Sequence, residues 1–114
     1  MEIKHLPENV FFVCLQEPQL RNELVAINDT LSSGCTCDLI IDFSNVEMLT
    51  SEGISSLIIL ERLLNSFGHK IILCAVSSNN LQVLERTGIQ PLFEFVSDEF
   101  SALQSIRSSS AFLS

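Results

Sequence analysis

Apolar positions along this chain follow two different periods. Asn9 to Leu15 is a nearly unbroken apolar run, as a strand would be, and Met1 to His5 is expected to pair with it across a Leu6-Pro7-Glu8-Asn9 turn. From about Pro18 the period lengthens. Leu20, Leu24, Ile27 and Leu31 recur at i, i+4, i+7 and i+11, one face of a helix that Gly34 would cap. Leu39, Ile40, Ile41 and Phe43 then form an apolar strand of the kind covered on both faces inside a mostly parallel sheet.

The spacing next predicts a helix from Ser51 to Phe67, stopped by Gly68, with Leu57, Leu60, Leu64 and Phe67 as its buried stripe. Ile71 to Val76 reads as a strand, Ser77 to Thr87 as a helix stopped by Gly88, and Phe93 to Val96 as a short last strand. Ser97-Asp98-Glu99 supplies a capping hydroxyl and acids for a final helix whose inner face is Phe100, Leu103 and Ile106. Ser108 to Ser114 is expected to fray, with Phe112 and Leu113 available to dock back on the body. Strands separated by helices of about 10–17 residues imply right-handed crossovers and an α/β fold. The opening hairpin makes the sheet mixed, with four or five strands and about four helices packed against it. Residues 1–114 read as a single domain, without linker or repeat.

Composition narrows the partners. The chain has 114 residues, 46% of them hydrophobic, and a mean hydropathy of +0.37, which argues for a packed core and against disorder. Fourteen acidic residues against six basic ones give a net charge of −8. Such a surface repels nucleic acid, and with neither Trp nor Tyr a base-stacking platform would rest on Phe alone. A protein partner with a basic patch fits better. No apolar run reaches the length of a membrane span, and Met1 to Val10 lacks the pattern of a signal peptide, so a cytoplasmic location is expected.

Enzyme chemistry is poorly represented. The sequence has no phosphate-binding glycine loop. His5 and His69 stand apart, and His69, between Gly68 and a strand, reads as an exposed loop residue. Asp38 and Asp42 share one face of a strand, where solvation at the strand ends accounts for them. Cys35 and Cys37 form a single C-x-C, but Cys14, Cys74 and the histidines show no paired ligand spacing. No metal or cofactor is expected, and Cys14 and Cys74 read as small core residues.

The informative stretch is Asp42-Phe43-Ser44-Asn45-Val46-Glu47-Met48-Leu49-Thr50-Ser51-Glu52-Gly53-Ile54, where a buried strand turns into a long helix. On its own, Thr50 or Ser51 is explained as an N-cap worth about 1 kcal/mol. Ser44-x-x-Glu47 fits a capping box, though it reads as a feature of the loop.

Ile40 to Leu103 resembles the STAS domain (sulfate transporter and anti-sigma factor antagonist), in particular the stand-alone bacterial antagonists. Asp42-Phe43-Ser44-Asn45-Val46 is similar to the family's D-[LF]-S-x-V. Thr50-Ser51-Glu52-Gly53-Ile54 lies where the family has D-S-S-G-L. Gly68 to Cys74, Glu85-Arg86-Thr87-Gly88-Ile89, Leu92-Phe93 and Ala102-Leu103 follow its later pieces in order.

The resemblance implies a partner-switching module rather than an enzyme. Its partner would be an anti-sigma factor that is also a serine kinase, or a related ATPase. Carried over, the phosphoacceptor is Ser51, with Thr50 the alternative, and docking involves Thr50, Ser51, Glu52, Gly53, Ser55, Ser56 and Ile59. Thr50 replaces the family's Asp and Glu52 its second serine, while Glu17-Pro18-Gln19-Leu20 replaces a G-x-[LI]-D step. These departures suit a second reading, a constitutive scaffold or accessory subunit of a signalling or transporter complex. Family analogy alone suggests a third, nucleotide or small-ligand binding. Along the helix, Glu52, Ser55, Ser56, Ile59 and Leu63 fall on one side, away from Leu57, Leu60 and Leu64. Ile59 and Leu63 would either centre a partner interface or pack under a neighbouring loop.

Overall fold

The computed structural model describes residues 2–6, 9–16, 22–31 and 37–113. Among these, five strands and four helices run in the order β1 (Glu2–Leu6), β2 (Val10–Cys14), α1 (Asn22–Leu31), β3 (Asp38–Asp42), α2 (Ser51–Ser66), β4 (Ile71–Cys74), α3 (Ser78–Arg86), β5 (Glu94–Val96) and α4 (Glu99–Leu113). A 3-10 turn at Gln90–Leu92 precedes β5. Neighbouring strands follow chain order, β1-β2-β3-β4-β5. The first pair is antiparallel and the others are parallel, so the sheet is mixed as expected.

Chain-order pairing explains the layers. The β2-α1-β3, β3-α2-β4 and β4-α3-β5 crossovers all step in the same direction, so one handedness puts all three helices on one face. Alternation then divides each strand between two cores. Val13, Leu39, Ile41 and Leu73 join Leu24 and Ile27 of α1, Leu57, Leu60 and Leu64 of α2, and Leu84 of α3. Val10, Phe12, Ile40, Ile72 and Cys74 meet Ala102 and Ile106 of α4, with Leu103 packed at the edge of the cluster. The β3 run is therefore apolar because it is buried on both sides. On the α4 face, Lys4 of β1 lies 4.7 Å above the Phe12 ring, and its Nζ reaches Glu99 at 2.8 Å.

Helix ends follow the local chemistry. Thr50 and Ser77 cap α2 and α3, and Gly68 and Gly88, both at φ +76°, lie just beyond their last turns. Asp98 caps α4 by accepting from the Ser101 amide at 2.8 Å, a role expected of the Ser97 hydroxyl. Bonds from the Ser101 backbone and side chain hold the Asp98 carboxyl below the usual carboxylate range.

Other expectations shift. Strand β4 stops at Cys74 rather than Val76, because Ala75 takes a left-handed φ of +56°. Phe67 lies outside the buried stripe of α2, in the turn after the helix, and is exposed. Phe100 is 70% exposed, and Ala102 fills the inner position expected of it, beside Ile106. The α4 backbone is helical through Leu113, within the stretch expected to fray. Pro18, Leu20, Gly34, Cys35, the Glu17–Leu20 step, and the Pro7-Glu8 part of the first turn lie outside the described residues, as do the side chains of Phe112 and Leu113. Among the described residues, no helix is long and apolar enough to cross a membrane.

Candidate functional site

The connection from β3 to α2 is built in short, separately anchored steps. Phe43 is buried and its amide donates to Cys74 O at 2.9 Å, which continues the sheet by one residue. Asp42 Oδ1 then accepts from the Ser44 amide at 2.7 Å, and the Val46 amide closes back on Phe43 O at 3.0 Å. Ser44 thus donates its backbone amide to a side chain in a turn, and no helix opens there for a capping box. Val46 and Leu49 are buried anchors, with Met48 between them exposed.

Thr50 sits in extended conformation and its Oγ1 accepts from the Gly53 amide at 3.2 Å. Of the two hydroxyls that sequence leaves in contention for the cap, the structure thereby chooses Thr50. Ser51 becomes the first helical residue. It is exposed, and among the described residues its hydroxyl has no hydrogen-bond partner. Glu52 beside it is also exposed and lies in the first turn.

Not every residue expected at a docking face reaches it. Ser51, Glu52, Ser55 and Ile59 share the outer side of α2, with Ile59 58% exposed. Thr50 is half-buried under its own cap bond. Gly53 and Ser56 are buried, which corrects their place in the expected set. The cause is α1, which packs alongside: Asn28 Nδ2 donates to Ser56 O at 3.3 Å and to Leu24 O at 3.1 Å. Leu63 is half-buried and packs against the larger core.

Asn80 is the residue that sequence reasoning passed over. It is buried in the first turn of α3 and bonds to the loop ahead of Ser51. A signal was present: Asn80 stands four residues before Leu84, on the stripe that α3 turns inward. Glu23 was missed likewise. It is buried at the start of α1, and both its carboxylate oxygens accept from the Gln16 amide at 3.0 Å.

The remaining chemical groups lie elsewhere or are inert. His69, expected to be an exposed loop residue, is half-buried with Nδ1 3.2 Å from Asp38 Oδ1. Asp38 also accepts from the Lys70 amide at 2.8 Å, so it ties the entry of β4 to β3 rather than simply facing solvent. Near this pair a cleft of about 320 Å³ is lined by Glu61, Asn65, Lys70 and Glu94. It lies toward the C-terminal end of α2, a helix roughly 24 Å long, away from Ser51. Cys74 is a buried core residue as expected, whereas Cys14 is half-buried. Burial, followed by the charges of Asp42, Glu99 and Asp98, pushes the Cys74 thiol up to about 12. Among the described residues, no three His, Cys, Asp or Glu side chains are grouped to hold a metal ion.

Solved structures share this architecture. A putative anti-sigma factor antagonist from Thermotoga maritima is 16% identical over 93% of each chain, with a TM-score of 0.79. An RsbS variant from Moorella thermoacetica is 17% identical over 96% of this chain and 97% of its own, with a TM-score of 0.82. The anti-sigma factor antagonist SpoIIAA in its unphosphorylated form is 18% identical over 94% of this chain and 96% of its own, at a TM-score of 0.76. Its phosphorylated form, from Bacillus, is 18% identical over 92% and 97%, at 0.69. At such identities the likeness is one of fold. No curated protein sequence matches the chain. A family model described as the STAS domain matches residues 4–102, most of the length, and by that match the chain belongs to the STAS domain family.

Proposed function

We propose that this chain is a regulatory binding module of the anti-sigma factor antagonist kind, with docking controlled by phosphorylation of Ser51. The observation that carries this reading is the division of labour at the start of α2. Thr50 makes the cap bond, and Ser51 is left outward-facing on the first helical residue. A phosphate there would meet the unsatisfied N–H groups and positive dipole end of a 16-residue helix. It would add about −1.5 to −2 charges at the interface without repacking the core. A partner surface that buries this helix start would have to desolvate the dianion, and any acidic group facing it would be repelled, so the two states differ in affinity. That SpoIIAA shares this fold in both its phosphorylated and unphosphorylated forms supports a scaffold that accepts the modification.

The partner class is an anti-sigma factor with serine kinase activity, or a related ATPase, and the chain acts by binding rather than by catalysis. Incubation with ATP and candidate anti-sigma serine kinases, followed by intact-mass measurement, tests the reading. One added phosphate is expected, lost in Ser51→Ala while kinase binding persists. Loss in Thr50→Ala but not in Ser51→Ala would move the acceptor to Thr50. Uptake undiminished in both variants would end the reading.

One observation favours a second reading. Glu52 places a permanent carboxylate on the same exposed turn as Ser51, which disfavours adding a phosphate there. A constitutive scaffold or accessory subunit would need no switch. The same mass measurement separates the two, since a scaffold takes up no phosphate from any of the kinases.

A further inference from the structure

The turn leading to Ser51 is fastened to a different helix. Asn80 of α3 is 1% exposed, one of three buried polar or charged residues among those described. Its Oδ1 accepts from the Leu49 amide at 3.1 Å, and its Nδ2 donates to the Val46 carbonyl at 3.4 Å. That carbonyl and that amide are the i and i+3 groups which a tight turn joins directly. Here a side-chain amide stands between them, with a donor for one and an acceptor for the other. The turn is opened by the width of that amide and both its ends are tied to α3.

The consequence is visible on either side of the clamp. Val46 and Leu49 stay in the core, while Glu47 and Met48 are turned outward, Met48 to 55% exposure. Thr50 follows at once as the α2 cap, and Ser51 after it. Asn80 has a second, separable attachment, since its backbone amide donates to Ser77 Oγ at 3.2 Å and so belongs to the α3 cap. The α3 start can therefore be weakened without touching the two bonds to the turn.

We infer that Asn80 is a positioning residue for the acceptor: it fixes the Val46–Leu49 turn so that the Ser51 hydroxyl is held ready for phosphoryl transfer, which rests on Ser51 being the acceptor as proposed above. In that transfer Ser51 Oγ bonds to the γ-phosphorus of ATP, the bond from that phosphorus to ADP breaks, and the hydroxyl proton leaves to a base on the kinase. Nothing in the step needs Asn80 to touch a reacting atom. Its part is to limit the angles from which the hydroxyl is offered.

Asn80→Val removes both side-chain bonds at similar size, and Ser77→Ala removes only the α3 cap. Hydrogen exchange at the Leu49 amide should rise about tenfold in Asn80→Val, as loss of buried hydrogen bonds implies, with Ile40 and Ile72 unchanged. Using the kinase that modifies the wild-type chain, kcat for phosphate uptake should fall about tenfold with KM nearly constant. Ser77→Ala should lower Tm yet leave both readouts at wild-type values. Unchanged Leu49 exchange in Asn80→Val overturns the clamp, whether or not any kinase acts. Faster exchange with undiminished kcat overturns the positioning role, as does an equal loss of kcat in Ser77→Ala. If the wild-type chain takes up no phosphate, the acceptor reading fails and the positioning role with it, while exchange still decides whether Asn80 sets the turn.

Discussion

The two faces of the sheet are built from the same five strands but are covered very differently. One carries three helices and a core drawn from β2, β3 and β4 together with α1, α2 and α3. Among the described residues the other carries α4, which contributes the buried Ala102 and Ile106 and the partly buried Leu103. The turn before the proposed acceptor belongs to the thick face, where Val46, Leu49, Leu57 and Leu60 all join a single cluster. A switch that adds charge without unfolding anything needs such backing. The thin face holds a smaller apolar cluster, with Lys4 to Glu99 and Ser105 to Glu94 as exposed polar contacts at its rim. The contrast teaches that, among the described residues, the larger share of buried apolar packing lies beneath the proposed docking surface.

The largest effect expected is from Leu60→Ala, which opens a cavity between α2 and the sheet and should cost about 4 kcal/mol in denaturant unfolding. Ile106→Ala under α4 should cost about 2 kcal/mol, since a single covering helix can settle into the gap. Equal losses at the two sites would erase the distinction between the faces.

Cys74 gives the next test, on the thin face. Its thiol stays protonated in the fold up to about 12, whereas an ordinary thiol titrates near 9.0. Its contribution is complete below 9.0 and is lost as the pH climbs from there toward 12, because the unfolded chain sheds the proton first. Unfolding midpoints measured between pH 8 and 11 should fall in the wild type and fall less in Cys74→Val. Identical slopes would mean that α4 does not keep water from this thiol. The smallest effect should come from Thr50→Ala, about 1 kcal/mol by thermal melting, confined to the first turn of α2. A much larger loss would show that the cap holds more than that turn.

Much of this arrangement could be read from sequence, for identifiable reasons. Leu39, Ile40 and Ile41 point to a strand buried on both sides because the run is short, rich in β-branched residues and bounded by aspartates. Gly68 and Gly88 announce helix ends because the backbone there is left-handed. Ser51 was placed at a helix start by the polar residues that precede a periodic run. What escaped depends on neighbours distant in sequence. Ser56 looked solvent-facing by helical phase, and only the packing of α1 buries it. Phe100 looked core-like, but the single row of contacts beneath α4 has room for Ala102 in its place. Asn80 looked like one of several polar residues at a helix start, and its role appears only once Val46 and Leu49 are brought against it.

Strand order that matches chain order has a consequence for how the molecule is made. As the polypeptide leaves the ribosome, each new strand finds its sheet neighbour already synthesised, so no gap must be held open for a later arrival. The three-helix layer can be assembled by the time β5 emerges, and α4 is the last described element to appear. Until α4 emerges, the Ile40 and Ile72 side of a nascent sheet lacks its cover and is exposed to chaperones or to wrong association.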